Sequence, residues 1–362
     1  MTTLFVLGII AILFLTSVYA DPKYRVTLKR VNEQKPLCNS LEDKSIFTFN
    51  YNPTYVDLRD KGKKIGDAIL VRSQNLTAAP NKVGQSVMTL AKSQSESGLF
   101  DDLDNIKLNR LDTSTVVFQP EGRGESYGAE DPRLVYREKD QTYYLFYTAV
   151  EQGEGELFAR LALATTKNIQ DKSSWIRRGP IVPMFRWSKS GALLLRDDTT
   201  GPHYLIWGDD MLRMAVTEDL IKYRTFPTPF LKTREDHFDS HLVESGPPPL
   251  RMVDGNYLFI YNSARQRPKS VPGDDDLQYN AGWLILDGTN PQIILQRCED
   301  PLLSPELAWE KGESPYLGLV PNVVFIEAAK SLGNNKFLVF YGGADSVVGS
   351  AVITVEAVGE DK

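Results

Sequence analysis

Apolar residues fall into short runs that end in small or polar residues, and no stretch keeps the spacing of a long amphipathic helix. Five runs resemble one another: DAILVRSQ (67–74), YYLFYTAV (143–150), HYLIWGDD (203–210), NYLFIYNS (256–263) and KFLVFYGG (336–343). Turn-forming sequence precedes most of them, as in DDTTGP, MVDGN and LGNNK. A second apolar run follows each: SVMTLAKS, RLALATTKN, RMAVTEDL, AGWLILDG and GSAVITVEA. Strand-like runs separated by Gly, Pro, Asp and Asn clusters predict an all-β fold. The pair recurs at roughly 50 to 80 residues, within the range of blade-type repeats. Units of about four strands repeated around an axis make a β-propeller, and five repeats predict five blades. A large β-sandwich is the rival, and five matching strand pairs favour the propeller. The polar run ends, Arg72, Thr148, Asp209, Asn262 and, just past the last run, Asp345, would then crowd around one mouth of a central channel.

The N-terminus breaks this pattern. Leu4 to Val18 is unbroken apolar or small, Val18-Tyr19-Ala20 follows a small-x-small cleavage pattern, and polar DPKYR comes next. The run is short for a membrane span and lacks a basic stop-transfer flank, so it predicts a signal peptide over 1–20. An uncleaved anchor is the alternative, because the first residues carry no Lys or Arg. The expected product is a secreted, extracellular protein with a single propeller domain over 21–362 and no stable membrane association after cleavage. The sequon Asn75-Leu76-Thr77 fits that route. Cys38 and Cys298 could pair in an oxidising compartment, or be two separate thiols.

Composition narrows the function classes. A chain with 42% hydrophobic and 24% charged residues is ordinary for a globular protein. The net charge of -6 argues against a nucleic-acid partner. GDDDLQ (273–278) reads as a polar insertion loop. No Gly-rich phosphate loop precedes a helix, and no Gly-x-Ser-x-Gly elbow occurs. His237 and His241 are four apart but lie too close to Gly-Pro-Pro-Pro for a helical metal pair. No cofactor and no metal are expected.

What remains is carboxylate chemistry. Asp131 lies in YGAEDPRLVY, where Glu-Asp-Pro alone reads as a turn, but Tyr127-Gly128 and Arg133 add a close backbone approach and an ion-pair partner. Glu244 precedes SGPPP, a stiff segment that would hold a carboxylate in place. Asp209 follows the aromatic strand end of WGDDM. Glu310 and Glu327 are further acidic residues, the latter inside the apolar run VVFIEAA, where it needs a partner or a role. Glycoside hydrolysis uses two carboxyl groups, and Asp131, Asp209 and Glu244 on three consecutive blades meet that need. Trp187, Trp207, Tyr147 and Tyr261 offer faces for a sugar, although most of them read better as core between blades.

GAEDPRL, RLALATT, SKSGALLL, ESGPPPL, DPLLSPELAWE, LVPNVVF and YGGADS, taken in order, resemble glycoside hydrolase family 130, the β-mannoside phosphorylases and β-1,2-mannosidases. The likeness runs from FNYNP (49–53) to GGADSVVGSA (342–351). It implies a five-bladed propeller, an oligosaccharide substrate and an inverting reaction in which Asp131 is the general acid, protonating the glycosidic oxygen through a sugar hydroxyl. It implies that Asn52, Arg72 and Asp345 bind sugar, and we add Arg133 as a candidate. Phosphorylases in this family hold phosphate with an Arg and a Lys, which Arg160 and Lys189 match, and with two histidines, where WGD (207–209) and YNS (261–263) stand here. Hydrolytic members carry two acidic residues instead. Glu244 matches one, and Asp209 stands at the other in place of a Glu. The expectation is an inverting β-mannoside hydrolase, acting on β-1,2-linked manno-oligosaccharides, with Glu244 as main base and Asp209 as helper. A phosphorylase and a non-catalytic glycan-binding propeller are the alternatives.

Overall fold

The computed structural model describes residues 23–43, 45–75, 85–153, 155–199, 201–267 and 276–358. The signal peptide expected over 1–20, the sequon beyond Asn75 and residues 273–275 of the acidic run lie outside them.

Strand β1 (Lys23–Val31) opens the described chain, and four blades follow in sequence. The first is β2 (Phe49–Asp60), β3 (Lys63–Gln74), β4 (Val87–Lys92) and β5 (Val116–Phe118). The second is β6 (Gly128–Arg137), β7 (Thr142–Gln152), β8 (Leu157–Thr166) and β9 (Ile176–Pro180). The third is β10 (Ala192–Leu194), β11 (His203–Trp207), β12 (Arg213–Thr217) and β13 (Arg224–Thr225). The fourth runs β14 (Leu242–Ser245), β16 (Tyr257–Gln266), β17 (Leu277–Leu286) and β18 (Ile294–Arg297), with β15 (Leu250–Arg251) also on β16. The fifth is β19 (Val324–Gly333), β20 (Lys336–Gly343) and β21 (Val347–Val358), and β1 completes it. The fold is a five-bladed β-propeller.

The last blade therefore borrows its outer strand from the start of the chain. β1 pairs with β21 from Lys23↔Val358 to Val31↔Ser350, which closes the ring. Arg30 reinforces the joint. Its Nε and Nη2 donate to Glu310 at 2.8 and 2.9 Å, and Glu310 also accepts from Tyr341 Oη at 2.8 Å. Glu310, an acidic candidate from the sequence, is thus a buried structural partner.

The five recurring runs are the second strands of the blades, not the channel-lining ones. The innermost strands are β2, β6, β10, β14 and β19, and β2 packs directly on β6 and β19. Second strands are covered on both faces by neighbouring blades, so they read as continuous apolar runs. The inner strands β2, β6 and β14 mix polar residues into the strand and lose that signature. Apolar side chains fill the gaps between blades: Leu70, Met88, Tyr147 and Ala164 between the first and second, Phe146, Leu163, Leu205 and Trp207 between the second and third. Cys38 and Cys298 are buried in different clusters and are not joined by a disulfide. Among the described residues no helix is long and apolar enough to cross a membrane.

Candidate active site

Three inner strands carry a β-bulge at one end of the channel. Asn52 is left over in β2 between the pairs Tyr51↔Arg72 and Pro53↔Val71. In β6, Asp131 and Pro132 fall between Glu130↔Thr148 and Arg133↔Phe146. In β19, Glu327 falls between Ile326↔Tyr341 and Ala328↔Phe340. A bulge re-aims its extra side chain out of the strand's alternation. Asn52 and Asp131 reach this with φ of 46° and 48°, the left-handed region that side chains avoid. Such strain, of order 1–3 kcal/mol per residue, persists where the surroundings over-determine it.

Those surroundings are visible. Asn52 Nδ2 donates to Asp131 Oδ1 at 2.9 Å, and Arg72 Nη1 donates to the same oxygen at 2.8 Å. Asp131 Oδ2 has no protein partner among the described residues. Arg72 also pairs with Glu130 Oε1 at 2.7 Å and lies over the Tyr51 ring, 4.8 Å from its centroid. Ser86 Oγ donates to Glu130 Oε1 at 2.9 Å. Burial alone would raise the Asp131 pKa, but Arg72, Lys189 and Arg133 outweigh it, and Asp131 is held well below the usual carboxylate range. Glu130 moves the other way, raised by burial and by Asp131 against the pull of Arg72.

The third and fourth blades add a second group. Lys189 and Ser190 lie just before β10, and Glu244 is on β14. Lys189 Nζ is 3.1 Å from Glu244 Oε1, and Ser190 Oγ donates to that oxygen. Glu244 is 3% exposed, and burial raises its pKa against the pull of Lys189 and Arg133. Asp209 stands past the end of β11, half-buried, and accepts from the exposed Trp187 Nε1 at 2.6 Å. Lys189 feels Glu244, Asp131 and Asp209 together, which overcome its desolvation and hold it protonated. Asp345, in the left-handed turn between β20 and β21 at φ 49°, faces Arg72 and Asp131, and burial pushes its carboxyl up to about 7.

Seven of the nine candidates from the sequence therefore gather around this mouth: Asn52, Arg72, Asp131, Lys189, Asp209, Glu244 and Asp345. Two sit differently. Arg133 was expected to bind sugar, but it is 0% exposed. Its donors go to the main-chain oxygens of Asp131, Ser245 and Gly246 at 3.0, 2.7 and 3.3 Å, so it is spent inside the protein. Arg160 has its guanidinium 3.9 Å from Glu151 and stacked toward Phe158, with no contact to Lys189 or Glu244. Of the other strand ends, Asn262 is buried and bonds the main chain of Ile326 through both its amide atoms, at 2.9 and 2.8 Å. Thr148 is buried too. Trp207, Tyr147 and Tyr261 are core side chains.

Glu130, read as part of the turn beside Asp131, and Ser190 and Tyr279 were not among the candidate site residues. Tyr279, on β17, feels Glu244, Lys189, Asp345 and Asp209, and burial and Glu244 push its phenol up to about 12. Ser190 has φ 58°, a signal invisible in sequence. Chemically, the mouth offers two separated carboxylates, Asp131 and Glu244, each already tied to a cation. Among the described residues no group of three His, Cys, Asp or Glu is placed to hold a metal ion.

Comparison with known proteins agrees with this arrangement. A family model described as beta-1,4-mannooligosaccharide phosphorylase, glycoside hydrolase family 130, matches residues 88–360. A 1,2-beta-oligomannan phosphorylase from Thermoanaerobacter sp. (strain X514) is 32% identical over 263 residues, 70% of this chain and 76% of the relative. A beta-1,2-mannobiose phosphorylase from the same strain is 29% identical over 257 residues, 70% of this chain and 76% of the relative. Among solved structures, a glycosyl hydrolase from Bacteroides ovatus superposes with a TM-score of 0.65 at 26% identity, covering 84% of each chain. With its five blades and its ring of carboxylates and cations at one channel mouth, the chain belongs to glycoside hydrolase family 130 and is an enzyme of that family acting on β-mannosides.

Proposed function

We propose that this enzyme hydrolyses β-mannosides with inversion, on β-1,2-linked manno-oligosaccharides, after export directed by residues 1–20. The observation that carries this reading is the pairing of Lys189 with Glu244 at 3.1 Å. A phosphate dianion needs cations whose charge is uncompensated. Here the lysine expected to hold it faces a glutamate, and the arginine expected beside it leans toward Glu151 at 3.9 Å. Asp131, Glu130, Glu244, Asp209 and Asp345 outnumber Arg72 and Lys189 at the mouth, which disfavours an anion and suits water.

In this mechanism water attacks the anomeric carbon from the face opposite the leaving sugar. Glu244 takes the water proton, with Asp209 helping to orient that water. The C–O bond to the leaving sugar breaks, and the leaving oxygen receives a proton that originates at Asp131 and passes through a sugar hydroxyl. Asp131 is ionised in the free site, where Arg72 and Asn52 both hold Oδ1. Sugar binding that redirects Arg72 raises its pKa toward that of a donor, and Asp131 takes up a proton from solvent as the sugar enters and before the site closes to water. Asn52, Arg72, Asp345 and Tyr279 supply contacts to the sugar in the same subsite.

A second reading, phosphorolysis, draws support from the two phosphorylase relatives and from the retention of Arg160 and Lys189. A third, glycan binding without turnover, draws on Asp209, whose shorter side chain is engaged by Trp187. Incubation with β-1,2- and β-1,4-mannobiose, with and without phosphate, separates the three. The hydrolase releases α-mannose first, seen by its anomeric proton signal, without phosphate. Mannose 1-phosphate overturns the assignment, and binding without product for either linkage favours the third reading.

A further inference from the structure

The bulge on the fifth blade delivers a side chain that this mechanism does not use. Asn52 and Asp131 occupy the bulges of β2 and β6, and Glu327 occupies the corresponding bulge of β19. Glu327 is 0% exposed, and its Oε1 lies 2.8 Å from Arg133 Nη2. Yet neither of its oxygens accepts a hydrogen bond, so the contact is close but off the N–H direction. Arg133 instead donates to three neutral main-chain oxygens, of Asp131, Ser245 and Gly246. An ionised glutamate beside an arginine draws its planar fork into paired hydrogen bonds. A buried carboxylate without any is costly, and such groups take up a proton instead. The charged groups facing Glu327 are Arg133 and Asp131 on β6, Glu244 on β14 and Lys189 before β10. Burial, with Asp131 and Glu244, outweighs the two cations and raises its pKa well above the usual range.

We propose that Glu327 is a positioning residue that works in its neutral form, wedging Arg133 against the main chain that carries Asp131 and follows Glu244. The arrangement has two effects. Arg133 fixes the two catalytic strands relative to each other, because its three acceptors belong to the second and fourth blades. A neutral Glu327 also leaves the charge of Arg133 to Asp131 and Glu244, both of which it pulls down. When Glu327 loses its proton as pH rises, it cancels that charge and the activity falls.

This rests on Asp131 and Glu244 being the catalytic pair, so one readout is independent of activity. The test compares the full chain with E327Q and E327A. The infrared difference spectrum of wild type minus E327Q should show the carbonyl stretch of a protonated carboxylic acid at neutral pH. E327Q keeps the shape and neutrality, so its Tm should match wild type and its kcat should stay within about threefold. Its rate should hold to higher pH than that of the wild type. E327A releases Arg133 and should lower kcat roughly tenfold or more with KM little changed. If the acid band is absent and E327Q unfolds at markedly lower temperature, Glu327 is an ionised partner of Arg133 and the proposal fails. It fails also if E327A loses Tm but keeps kcat and the wild-type pH profile. Should E327A not fold, the spectrum and the E327Q profile decide alone. Bond cleavage is followed with and without phosphate, so a phosphorolytic enzyme tests the inference equally, and an inactive wild type leaves the band and Tm readouts standing.

Discussion

Asp131 and Asp345 share one arginine, Arg72, and titrate in opposite directions. Asp131 is held ionised, while Asp345, with no hydrogen bond of its own, is pushed up to about 7. The folded pKa of Asp345 lies above its unfolded value near 3.8, so the folded chain binds this proton more tightly. Stability is therefore lost as pH rises from about 4 to about 7, and the loss is complete above that. D345N should raise stability at pH 8 by on the order of 2 kcal/mol, allowing for the half-buried position, and leave it nearly unchanged at pH 4. Thermal melts at the two pH values check this, and an equal shift at both contradicts it. The same variant should lower kcat/KM roughly ten- to a hundredfold through the lost charged hydrogen bond to sugar. At this scale the sequence was legible where a motif surrounds the residue. EDPR, ESGPPP and GGAD marked Asp131, Glu244 and Asp345. It was not legible where direction decides, because Arg133 sits two residues from Asp131 yet points into the protein. No pattern in a sequence says which way a bulge turns the next side chain.

Strands were legible in proportion to their burial. β3, β7, β11, β16 and β20 have apolar neighbours on both faces and stand out as runs. β2, β6 and β14, which carry Asn52, Asp131 and Glu244, interleave polar with apolar residues, so they merge with loops when read as sequence. β10 and β14 are also short, at 3 and 4 residues, below what a periodicity can reveal. The closing strand β1 was hidden for another reason, since its partner β21 lies at the far end of the chain and only tertiary structure joins them. Its anchor gives a test. Arg30 is bound through two nitrogens to Glu310, which is 0% exposed. Removing one partner of a buried pair leaves an uncompensated charge, so R30A should cost roughly 3 kcal/mol in urea denaturation. The double variant R30M/E310M should cost less than R30A alone, because no charge is left stranded. A neutral R30A would show that the closure does not depend on this pair.

For the whole molecule, counting strand pairs was enough for the five-bladed ring, and the ordered motifs were enough for the family. The choice of nucleophile depends on the balance of charge across blades distant in sequence, which only the folded ring assembles. Glu244 comes from the fourth blade, Lys189 from the edge of the third, and Asp131 with Arg72 from the second and first. Their mutual pairing leaves little free positive charge for phosphate. The direct measurement is the initial rate of β-1,2-mannobiose cleavage by the purified protein against phosphate concentration, beginning from none. For a hydrolase the rate is independent of phosphate, with mannose as the only product. A rate that is absent without phosphate and rises to saturation with it, yielding mannose 1-phosphate, would contradict it.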